Sequence, residues 1–327
     1  MRRGRRRHVA ELNVSLFLIT GGAGFIGSHL ADALLAQGHR VRVLDDLSTG
    51  HRAQLDPSCE LAVADIADAG AMAAAMAGAD GCFHLAAIAS VARANEQWVA
   101  THRVNQTGTV TVLDAARALG GIPVVYASSA AIYGDLGGAA AHEGLRPAPS
   151  TAYGADKLGS ELHAWVAWSV HGVPTLGLRF FNVYGPRQDP HSPYSGVISV
   201  FAQRIGDGHA VTLHGDGGQT RDFVFVADVV AHLVAGMAWL SRERGAHVLN
   251  VCGGHGTSVL ALAHLLAELY RSAPRLAHGP ARAGDIRHSV GAPDVAVAVL
   301  GLRAATPLAE GLRATLTQLR QGGPTPA

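Results

Sequence analysis

Lysine is almost absent from this 327-residue chain: Lys157 is its only lysine, and every other strongly basic side chain is an arginine. Cysteine is also scarce. The three cysteines, Cys59, Cys82 and Cys252, are far apart and form no Cys-x-x-Cys, so neither a disulfide framework nor a zinc site is indicated. This cysteine content fits a reducing cytoplasm, where we expect the protein to be located.

The chain also lacks a surplus of charge and a long apolar run. Its formal net charge of +1 gives no general attraction for nucleic acid or for a membrane surface. No apolar stretch reaches the roughly 18 residues that a membrane helix needs. The 18 histidines include no His-Glu-x-x-His or comparable cluster, so no metal site is predicted. With 48% hydrophobic and 16% charged residues, the composition is typical of a compact globular protein.

The single lysine lies close to a tyrosine at the start of a predicted helix. Tyr153 and Lys157 are four residues apart, which places both side chains on one helix face. Arginine cannot replace lysine where a compact ammonium on a flexible stem is needed, so the sole lysine indicates a chemical role. A nearby positive charge favours phenolate, and we expect Lys157 to lower the pKa of Tyr153 and make it a usable acid and base. The spacing alone is weak, because a half-buried tyrosine beside a solvated lysine would show it too.

A glycine-rich turn follows the first predicted strand, Val14 to Ile19. Its glycines satisfy both Gly-x-Gly-x-x-Gly and Gly-x-x-Gly-x-x-Gly, and an amphipathic helix follows. Such glycines permit a tight turn and a close approach of the backbone to a pyrophosphate. The next strand ends at Asp45, eighteen residues beyond Gly27. An acidic side chain there can bind an adenosine ribose and repels a 2′-phosphate, so the pattern predicts a site that prefers NAD to NADP.

Predicted strands alternate with helices through the first half of the chain. Further strands are predicted at 60–64, 81–85 and 122–127, and a long helical stretch at 99–119. This alternation predicts an α/β fold with a doubly wound parallel sheet, whose ligands bind beyond the carboxyl ends of the strands. Residues that follow predicted strand ends are therefore expected at the cofactor and substrate sites: Asp65, Ile66, Leu85, Ala86, Ala87 and Ser129.

The sequence divides into three predicted parts. Residues 1–12 are a basic stretch, either a disordered leader or a misplaced start codon. Residues 13–180 form an NAD-binding domain, with a return segment at 222–250. Residues 181–327 form a smaller C-terminal α/β substrate lobe, with helices predicted at 197–207, 227–242, 258–271 and 308–320. The gap between the two lobes is the predicted substrate cleft.

Taken together, these motifs resemble the extended short-chain dehydrogenases and, more narrowly, the nucleotide-sugar 4-epimerases. The resemblance runs from about Val14 to Leu319, and the stretches 45–50, 179–188 and 215–223 also carry it. It implies an NAD cofactor and a UDP-sugar substrate. The implied cofactor contacts are Gly21, Gly24, Phe25, Ile26, Gly27, Asp45, Asp65, Ile66, Leu85, Ala86, Ala87, Tyr153 and Lys157. The implied substrate contacts are Ser129, Tyr153, Asn182, Val197, Arg221, Arg282, Asp285 and Ser289.

The resemblance also implies a mechanism. Tyr153 removes the proton from the sugar 4-hydroxyl, NAD takes up the hydride from C4, and the hydride returns to the other face of the 4-keto sugar. Ser129 hydrogen-bonds the 4-oxygen, and Lys157 holds the nicotinamide ribose. Dehydratases and decarboxylases of the superfamily carry a carboxylate just after the catalytic Ser or Thr, where this chain has Ala130 and Ala131. Epimerisation is therefore favoured over a lyase reaction.

The sequence leaves the sugar and the assembly state open. In relatives, a small residue at the position of Ser289 admits an N-acetyl group, so we expect activity on UDP-N-acetylglucosamine and UDP-N-acetylgalactosamine. Additional use of UDP-glucose and UDP-galactose stays open, and an ordinary loop serine at 289 would carry no information about the sugar. The sequence is also compatible with a UDP-glucose 4-epimerase only, with a UDP-glucuronate epimerase, decarboxylase or dehydratase, and with an NAD-binding regulatory protein. The helical runs 99–119 and 153–171 are candidates for pairing in a homodimer.

Overall fold

A computed structural model describes residues 14–189, 196–281 and 286–321. The predicted leader at 1–12 lies outside the described residues, and so do Arg282 and Asp285. For these, the sequence predictions stay predictions.

The first part of the chain alternates strands with helices, as predicted. Its strands are β1 (Leu16–Thr20), β2 (Arg40–Asp45), β3 (Glu60–Val63), β4 (Gly81–His84), β5 (Val124–Ser129) and β6 (Thr175–Phe180). Its helices are α1 (Phe25–Ala36), α2 (Ala69–Met76), α3 (Val91–Glu96), α4 (Trp98–His102), α5 (Gly108–Ala118) and α6 (Ala152–His171). A π-helical turn, Arg103–Thr107, joins α4 to α5, so the stretch predicted as one helix is continuous but contains a widened turn.

The second part of the chain is less regular. Its strands are β7 (Asn182–Tyr184), β8 (Val211–His214), β9 (Thr220–Arg221), β10 (Phe223–Phe225), β11 (Ala246–Val251), β12 (Thr257–Ser258), β13 (Leu276–Gly279) and β14 (His288–Ser289). Its helices are α7 (Val197–Gly206), α8 (Val226–Glu243), α9 (Val259–Leu269), α10 (Asp294–Leu300) and α11 (Leu308–Gln321).

Seven parallel strands form the central sheet, in the order β11-β6-β5-β4-β1-β2-β3. The chain runs outward from β1 to β3 on one side and from β4 to β11 on the other. The direction of winding therefore reverses between β1 and β4, and the loops beyond their carboxyl ends diverge to leave a crevice. This doubly wound arrangement is a Rossmann-type fold, and it confirms the predicted fold class.

Both faces of the sheet are covered by apolar side chains. Neighbouring residues Leu18 and Ile19 of β1 belong to different core clusters, because successive side chains of a strand point to opposite faces. The Ile19 cluster includes Leu233 of α8, and the Leu18 cluster includes Met72 of α2 and Val112 of α5. A strand buried on both faces is expected to be almost continuously apolar, which explains the sequence of β1.

A third apolar cluster lies in the second part of the chain. It is built from α7, α9 and α11 with strand β8, through residues such as Phe201, Leu213, Leu262 and Leu312. This separate core is what a substrate lobe would require. However, β11 completes the central sheet, so part of the later chain belongs with the first unit. The division at residue 180 stays a prediction.

No helix in the described ranges is long and apolar enough to cross a membrane. Within the same ranges, no group of three or more His, Cys, Asp or Glu side chains is arranged to hold a metal ion.

Candidate active site

The glycine-rich turn lies at the carboxyl end of β1, beside the crevice. Gly21 has a φ of +70°, and a Cβ at this position would lie 2.7 Å from the backbone of Ala86. A Cβ on Gly22 would lie 2.7 Å from the Val43 side chain. Helix α1 then begins at Phe25 with no side-chain cap and no acidic residue in its first turn. The turn therefore leaves backbone N–H groups and the positive end of the α1 dipole available to a pyrophosphate, which fits the predicted dinucleotide.

Asp45 ends β2, as predicted, but it also has a structural role. Its carboxylate accepts hydrogen bonds from the amides of Ala23 and Leu47, each at 2.9 Å. Burial raises the pKa of Asp45, and these two amides oppose the shift. Each carboxylate oxygen can accept a second bond. Asp45 therefore fixes the glycine-rich turn against the loop after β2 and keeps acceptor capacity for ribose hydroxyls.

Three further predicted cofactor contacts lie at the same edge of the sheet. Leu85, directly after β4, donates its amide to the Thr20 carbonyl at 3.0 Å, and the Ala86 amide contacts the Thr20 hydroxyl at 3.3 Å. Ala87 follows them in the chain. These residues lie against the glycine turn, next to the crevice, as the topology requires.

Asp65 and Ile66 follow β3, but their side chains are engaged within the protein. The Asp65 carboxylate accepts the Ala67 amide at 2.8 Å and pairs with Arg103. The Ile66 side chain is buried in the core. An adenine at this edge would therefore meet the surface of this loop rather than the Ile66 side chain, and contact by either residue stays a prediction.

Asn105 has a positioning role that sequence reasoning missed. Its side-chain oxygen accepts the Ile88 amide at 2.8 Å, and its side-chain nitrogen donates to the Ile88 carbonyl at 3.2 Å. Asn105 lies in the π-helical turn between α4 and α5, so it fixes the loop after β4 beside the crevice. The sequence contains one signal for this role, because Asn105 is a polar side chain inside a long predicted helix. If such an amide is buried, it needs hydrogen-bond partners elsewhere in the protein.

Ser129, Tyr153 and Lys157 come together at the carboxyl end of β5. Thr151 caps α6 by accepting the Gly154 amide at 3.1 Å, and this places Tyr153 in the first turn. The Tyr153 phenol lies close enough to the Ser129 hydroxyl for their interaction to oppose the rise of the Tyr153 pKa. The Ser129 oxygen also accepts the Ala131 amide at 3.1 Å, so its own proton is available for donation. The structure therefore brings the three predicted catalytic side chains into one group.

Lys157 lies beneath Tyr153 and is 5% exposed. Its Nζ donates to the Ala127 carbonyl at 2.8 Å and lies 5.8 Å from the centroid of the Tyr153 ring. Burial lowers the pKa of Lys157 to about 8, and the charge of Asp156 opposes that shift. At neutral pH the amine is therefore mostly an ammonium ion, held close to the phenol.

The predicted effect of Lys157 on the phenol is not found in the protein alone. Burial raises the pKa of Tyr153, and the interaction that opposes this rise is with the Ser129 hydroxyl rather than with the lysine. The physical reason is desolvation: removing the phenol from water disfavours its charged form, and this effect prevails. Tyr153 is thus a neutral phenol at neutral pH in the protein by itself.

A buried ion pair supports this group from behind, and sequence reasoning missed it. Arg179 of β6 donates to Glu161 of α6 through two nitrogens, at 2.7 and 2.9 Å, and to the Tyr133 hydroxyl at 2.8 Å. Glu161 also accepts the hydroxyl of Ser128, the neighbour of Ser129. The pair ties α6 to the ends of β5 and β6. Its signal in the sequence was only that Glu161 lies one helical turn beyond the lysine.

The predicted substrate side is assembled around Asp222. Its buried carboxylate accepts the amides of Gly253 and Gly254, each at 2.9 Å, and burial raises its pKa. Its backbone carbonyl accepts the Asn182 amide at 3.0 Å, and its own amide donates to the Ser289 carbonyl at 2.9 Å. Asp222 therefore gathers β7, β9 and β14 into one place. It lies in the stretch 215–223 that carries the family resemblance, but the sequence alone assigned it no role.

Three described polar residues were predicted to bind substrate without a catalytic role, and all three lie in this assembly: Asn182, Arg221 and Ser289. Ser289 of β14 is the direct partner of Arg221 in β9. Arg221 donates one nitrogen to the Ile286 carbonyl at 2.8 Å and to the Thr220 carbonyl at 2.9 Å. Asn182 is exposed at the start of β7. The apolar contact Val197 is the first residue of α7, partly buried against the third core cluster.

Comparison with known proteins agrees with this geometry. The model of a family described as the NAD dependent epimerase/dehydratase family matches residues 17–252. A UDP-glucose 4-epimerase of Mycolicibacterium smegmatis is 37% identical over 313 residues, which cover 93% of this chain and 98% of the relative. Further curated relatives are named as a decarboxylase and a dehydratase.

Two solved structures have closely similar folds. A UDP-glucose 4-epimerase of Thermotoga maritima, solved with UDP-glucose, has a TM-score of 0.89 and 33% identity over 94% of this chain and 99% of its own. A UDP-N-acetylglucosamine 4-epimerase of Methanobrevibacter ruminantium, in complex with UDP-N-acetylmuramic acid, also has a TM-score of 0.89. It is 28% identical, and the match covers 94% of this chain and 99% of that structure's chain.

The fold, the glycine-rich turn and the Ser129–Tyr153–Lys157 group define a Rossmann-type enzyme that uses NAD. More narrowly, the chain belongs to the NAD-dependent epimerase/dehydratase family. The predicted family, the NAD cofactor and the assignment to an isomerase class are thereby confirmed.

Proposed function

We propose that this protein epimerises UDP-hexoses at C4, with Ser129, Tyr153 and Lys157 as its catalytic residues. The observation that carries the proposal is the grouping of Tyr153 with Ser129 at the end of β5 and with the Lys157 Nζ, 5.8 Å from the centroid of the phenol ring. The glycine-rich turn that fits NAD follows β1, at the same edge of the sheet. A proton-transfer group and a dinucleotide cradle at one edge are what reversible oxidation of an alcohol requires.

In this proposal, bound NAD supplies a hydride acceptor and the positive charge of its oxidised nicotinamide ring. The side chains of the protein manage the proton. The charges of the oxidised nicotinamide ring and of Lys157 would favour loss of the Tyr153 proton to solvent before the reaction. As a phenolate, Tyr153 then accepts the 4-hydroxyl proton and later returns it. Ser129 donates a hydrogen bond to the sugar 4-oxygen. Lys157 holds the nicotinamide ribose, and its positive charge stabilises the phenolate form of Tyr153.

Replacement of the phenol tests this assignment. We expect Tyr153→Phe to lower kcat by at least about 100-fold, because general acid–base catalysis contributes roughly 10²–10⁴-fold. NAD affinity should change little. Leu240→Val, which alters a buried side chain of α8 outside the predicted site, serves as a control for general damage. Turnover of Tyr153→Phe near the wild-type rate would overturn the assignment.

The substrate is proposed to include N-acetylated UDP-hexosamines. Ser289 is small, partly buried and paired with Arg221, the residue predicted to bind the UDP phosphates. A structural relative is named as a UDP-N-acetylglucosamine 4-epimerase, which supports this choice, whereas the M. smegmatis relative supports UDP-glucose. Incubation with UDP-glucose, UDP-galactose, UDP-N-acetylglucosamine and UDP-N-acetylgalactosamine, with products resolved by NMR, decides between them. No N-acetyl turnover would leave UDP-glucose 4-epimerase as the function.

A control variant sharpens that experiment. Ser289→Tyr places a large side chain beside Arg221, and we expect it to reduce N-acetyl turnover at least about tenfold more than UDP-glucose turnover, since a lost fit in a pocket is worth about 1–3 kcal/mol. An equal loss on both substrates would show that Ser289 does not select the sugar.

Decarboxylation and dehydration are the competing activities, since some relatives carry those names. Their acid or base would be expected just after Ser129, where Ala130 and Ala131 form a short 3-10 turn. UDP-glucuronate therefore serves as a further substrate in the NMR assay, and release of carbon dioxide would favour a decarboxylase. A protein that binds NAD but turns over none of these sugars would favour a regulatory role.

We further propose that the protein is a cytoplasmic homodimer. The three cysteines are free thiols, in keeping with a reducing compartment. Helices α4, α5 and α6 expose a set of large apolar side chains: Trp98, Val99, Val110, Leu162, Trp165, Val166 and Val170. Those on α6 recur at helical spacing, so they form one stripe that a second copy of the chain could cover.

Sedimentation velocity tests the dimer. Trp165, 60% exposed, lies within the stripe, and Trp165→Glu should shift the protein to a monomer. Val297→Glu, on an exposed position of α10 outside the stripe, should leave the assembly state unchanged. Monomeric wild-type protein would overturn the proposal.

A further inference from the structure

Asp156 is a buried acidic residue on α6, and the proposed reaction gives it no role. It is 4% exposed. Its Oδ1 contacts the Nδ1 of His102 in α4 at 2.7 Å, whereas its Oδ2 is buried and has no hydrogen-bond partner among the described residues. A buried carboxylate oxygen without a partner costs free energy. Stability alone therefore does not account for an acid at this position.

The neighbouring Lys157 has the opposite need. A buried ammonium is unfavourable unless an opposite charge lies near it. The next acid along α6, Glu161, is already paired with Arg179. His84 of β4 faces Lys157, but burial lowers the pKa of His84 to about 3, so it carries no charge at neutral pH. The phenol above the amine is neutral in the protein alone. Among the described residues, Asp156 is the acid whose charge favours the ammonium form of Lys157.

Asp156 and Lys157 are consecutive residues of α6, and both are buried, so a carboxyl group and an amine lie close together in the interior. Consecutive residues of a helix point in different directions, so Asp156 and Lys157 do not face each other directly. The carboxylate turns toward His102 of α4, and the amine turns toward the Ala127 carbonyl of β5. In the poorly hydrated interior, a charge acts over such a separation far more strongly than it would in water. His102 keeps the carboxylate in place, and half of its own side chain is exposed.

We propose that Asp156 is a positioning residue that keeps the Lys157 amine in its ammonium form for the reaction. The inference rests on the proposed function, because it matters to catalysis only if Lys157 takes part. An ammonium supplies both hydrogen-bond donors for a ribose and a positive charge beside a phenolate. A neutral amine would supply no charge.

The single lysine makes a direct test practical. Full-length protein that contains lysine labelled with ¹³C at Cε gives one lysine signal, whose chemical shift follows the protonation of Lys157. We expect a midpoint near pH 8 in the wild type. In Asp156→Asn, which keeps the shape and removes the charge, we expect the midpoint to move to lower pH by more than about half a unit. Asp156→Glu, which keeps the charge, should remain close to the wild type.

Asp207→Asn is the matched control, because it removes an exposed carboxylate just after α7 and should leave the midpoint in place. Asp156→Ser provides a second neutral variant if Asp156→Asn fails to fold. The basic limb of kcat/KM against pH should move in the same direction as the NMR midpoint, while activity near pH ~6.5 changes less than about threefold. A purely structural role for Asp156 would lower activity without moving either curve.

The two possible failures are distinguishable. A folded neutral variant of Asp156 that titrates like the wild type would overturn this inference and leave the proposed function intact. Full activity of Lys157→Met would overturn the proposed function itself, whatever the titration shows.

Discussion

The buried ion pair between Glu161 and Arg179 gives the sharpest stability prediction. The two side chains are 8% and 4% exposed, and their shortest N···O distance is 2.7 Å. Arg179→Met removes both bonds to Glu161 and the bond to Tyr133. It leaves the Ser128 hydroxyl as the hydrogen-bond partner of Glu161 among the described residues. The variant thus contains a buried carboxylate that has lost its countercharge.

Loss of one member of a buried pair costs about 3–5 kcal/mol, because the remaining charge is uncompensated. That is a large part of the roughly 5–15 kcal/mol by which a domain is stable. We therefore expect Arg179→Met to lower the midpoint of urea unfolding sharply, measured by circular dichroism near neutral pH. The double variant Glu161→Leu/Arg179→Met should regain at least about 2 kcal/mol relative to the single variant, since an apolar replacement needs no countercharge.

An exposed ion pair provides the matched control. Arg117 and Asp114 of α5 pair at 2.7 Å, but their side chains are largely exposed. Arg117→Met should cost less than about 1 kcal/mol, because water screens such pairs. If Arg179→Met costs no more than Arg117→Met, or if the double variant is less stable than the single, the reasoning about uncompensated burial is wrong.

Three further predictions concern the glycine turn, a buried histidine and the contact between α1 and the later chain. Gly21→Ala should weaken NAD binding, measured by calorimetry, more than about tenfold, because its Cβ would meet Ala86; Gly38→Ala, which has positive φ but open space, should not. His84 stays neutral in the fold, where burial lowers its pKa to about 3, whereas the unfolded chain binds that proton below about pH 6.5. Stability should therefore fall as the pH drops from about 6.5 toward 3, by up to about 1.4 kcal/mol per unit from this group, and less steeply in His84→Gln. Arg187→Met breaks a 2.7 Å ion pair with Asp32 of α1. The backbone amide of Arg187 also donates to the Gln318 side chain of α11, so we expect amide hydrogen exchange in α11 to become faster than in the wild type. Exchange in α2, which is not part of this contact, should stay unchanged.

Sequence patterns were a good guide where one local pattern has one physical solution. The alternation of apolar runs with helical stretches predicted the doubly wound sheet, and the glycine turn was placed correctly between β1 and α1. Ser129 was predicted at the site because ligands bind beyond the carboxyl ends of parallel strands, and it is the last residue of β5. The single lysine indicated a chemical role for Lys157, and the structure places its amine near the Tyr153 ring.

The same patterns were a poor guide where the outcome depends on burial. Lys157 was expected to lower the pKa of Tyr153, but burial of the phenol raises that pKa in the protein alone. The side chain of Ile66 lies in the core, and its predicted contact with the cofactor stays a prediction. Burial could not be obtained from spacing, because it depends on neighbours that are distant in the chain.

The sequence by itself determined the order of strands and helices, the glycine-rich turn and the chemical types of the proposed catalytic side chains, since these follow from local periodicity and residue chemistry. Only the tertiary structure decided which partner each buried carboxylate has: Arg179 for Glu161, His102 for Asp156, and the amides of a distant loop for Asp222. Electrostatic effects depend on distance and on exclusion of water, and both are set when separate parts of the chain pack against one another.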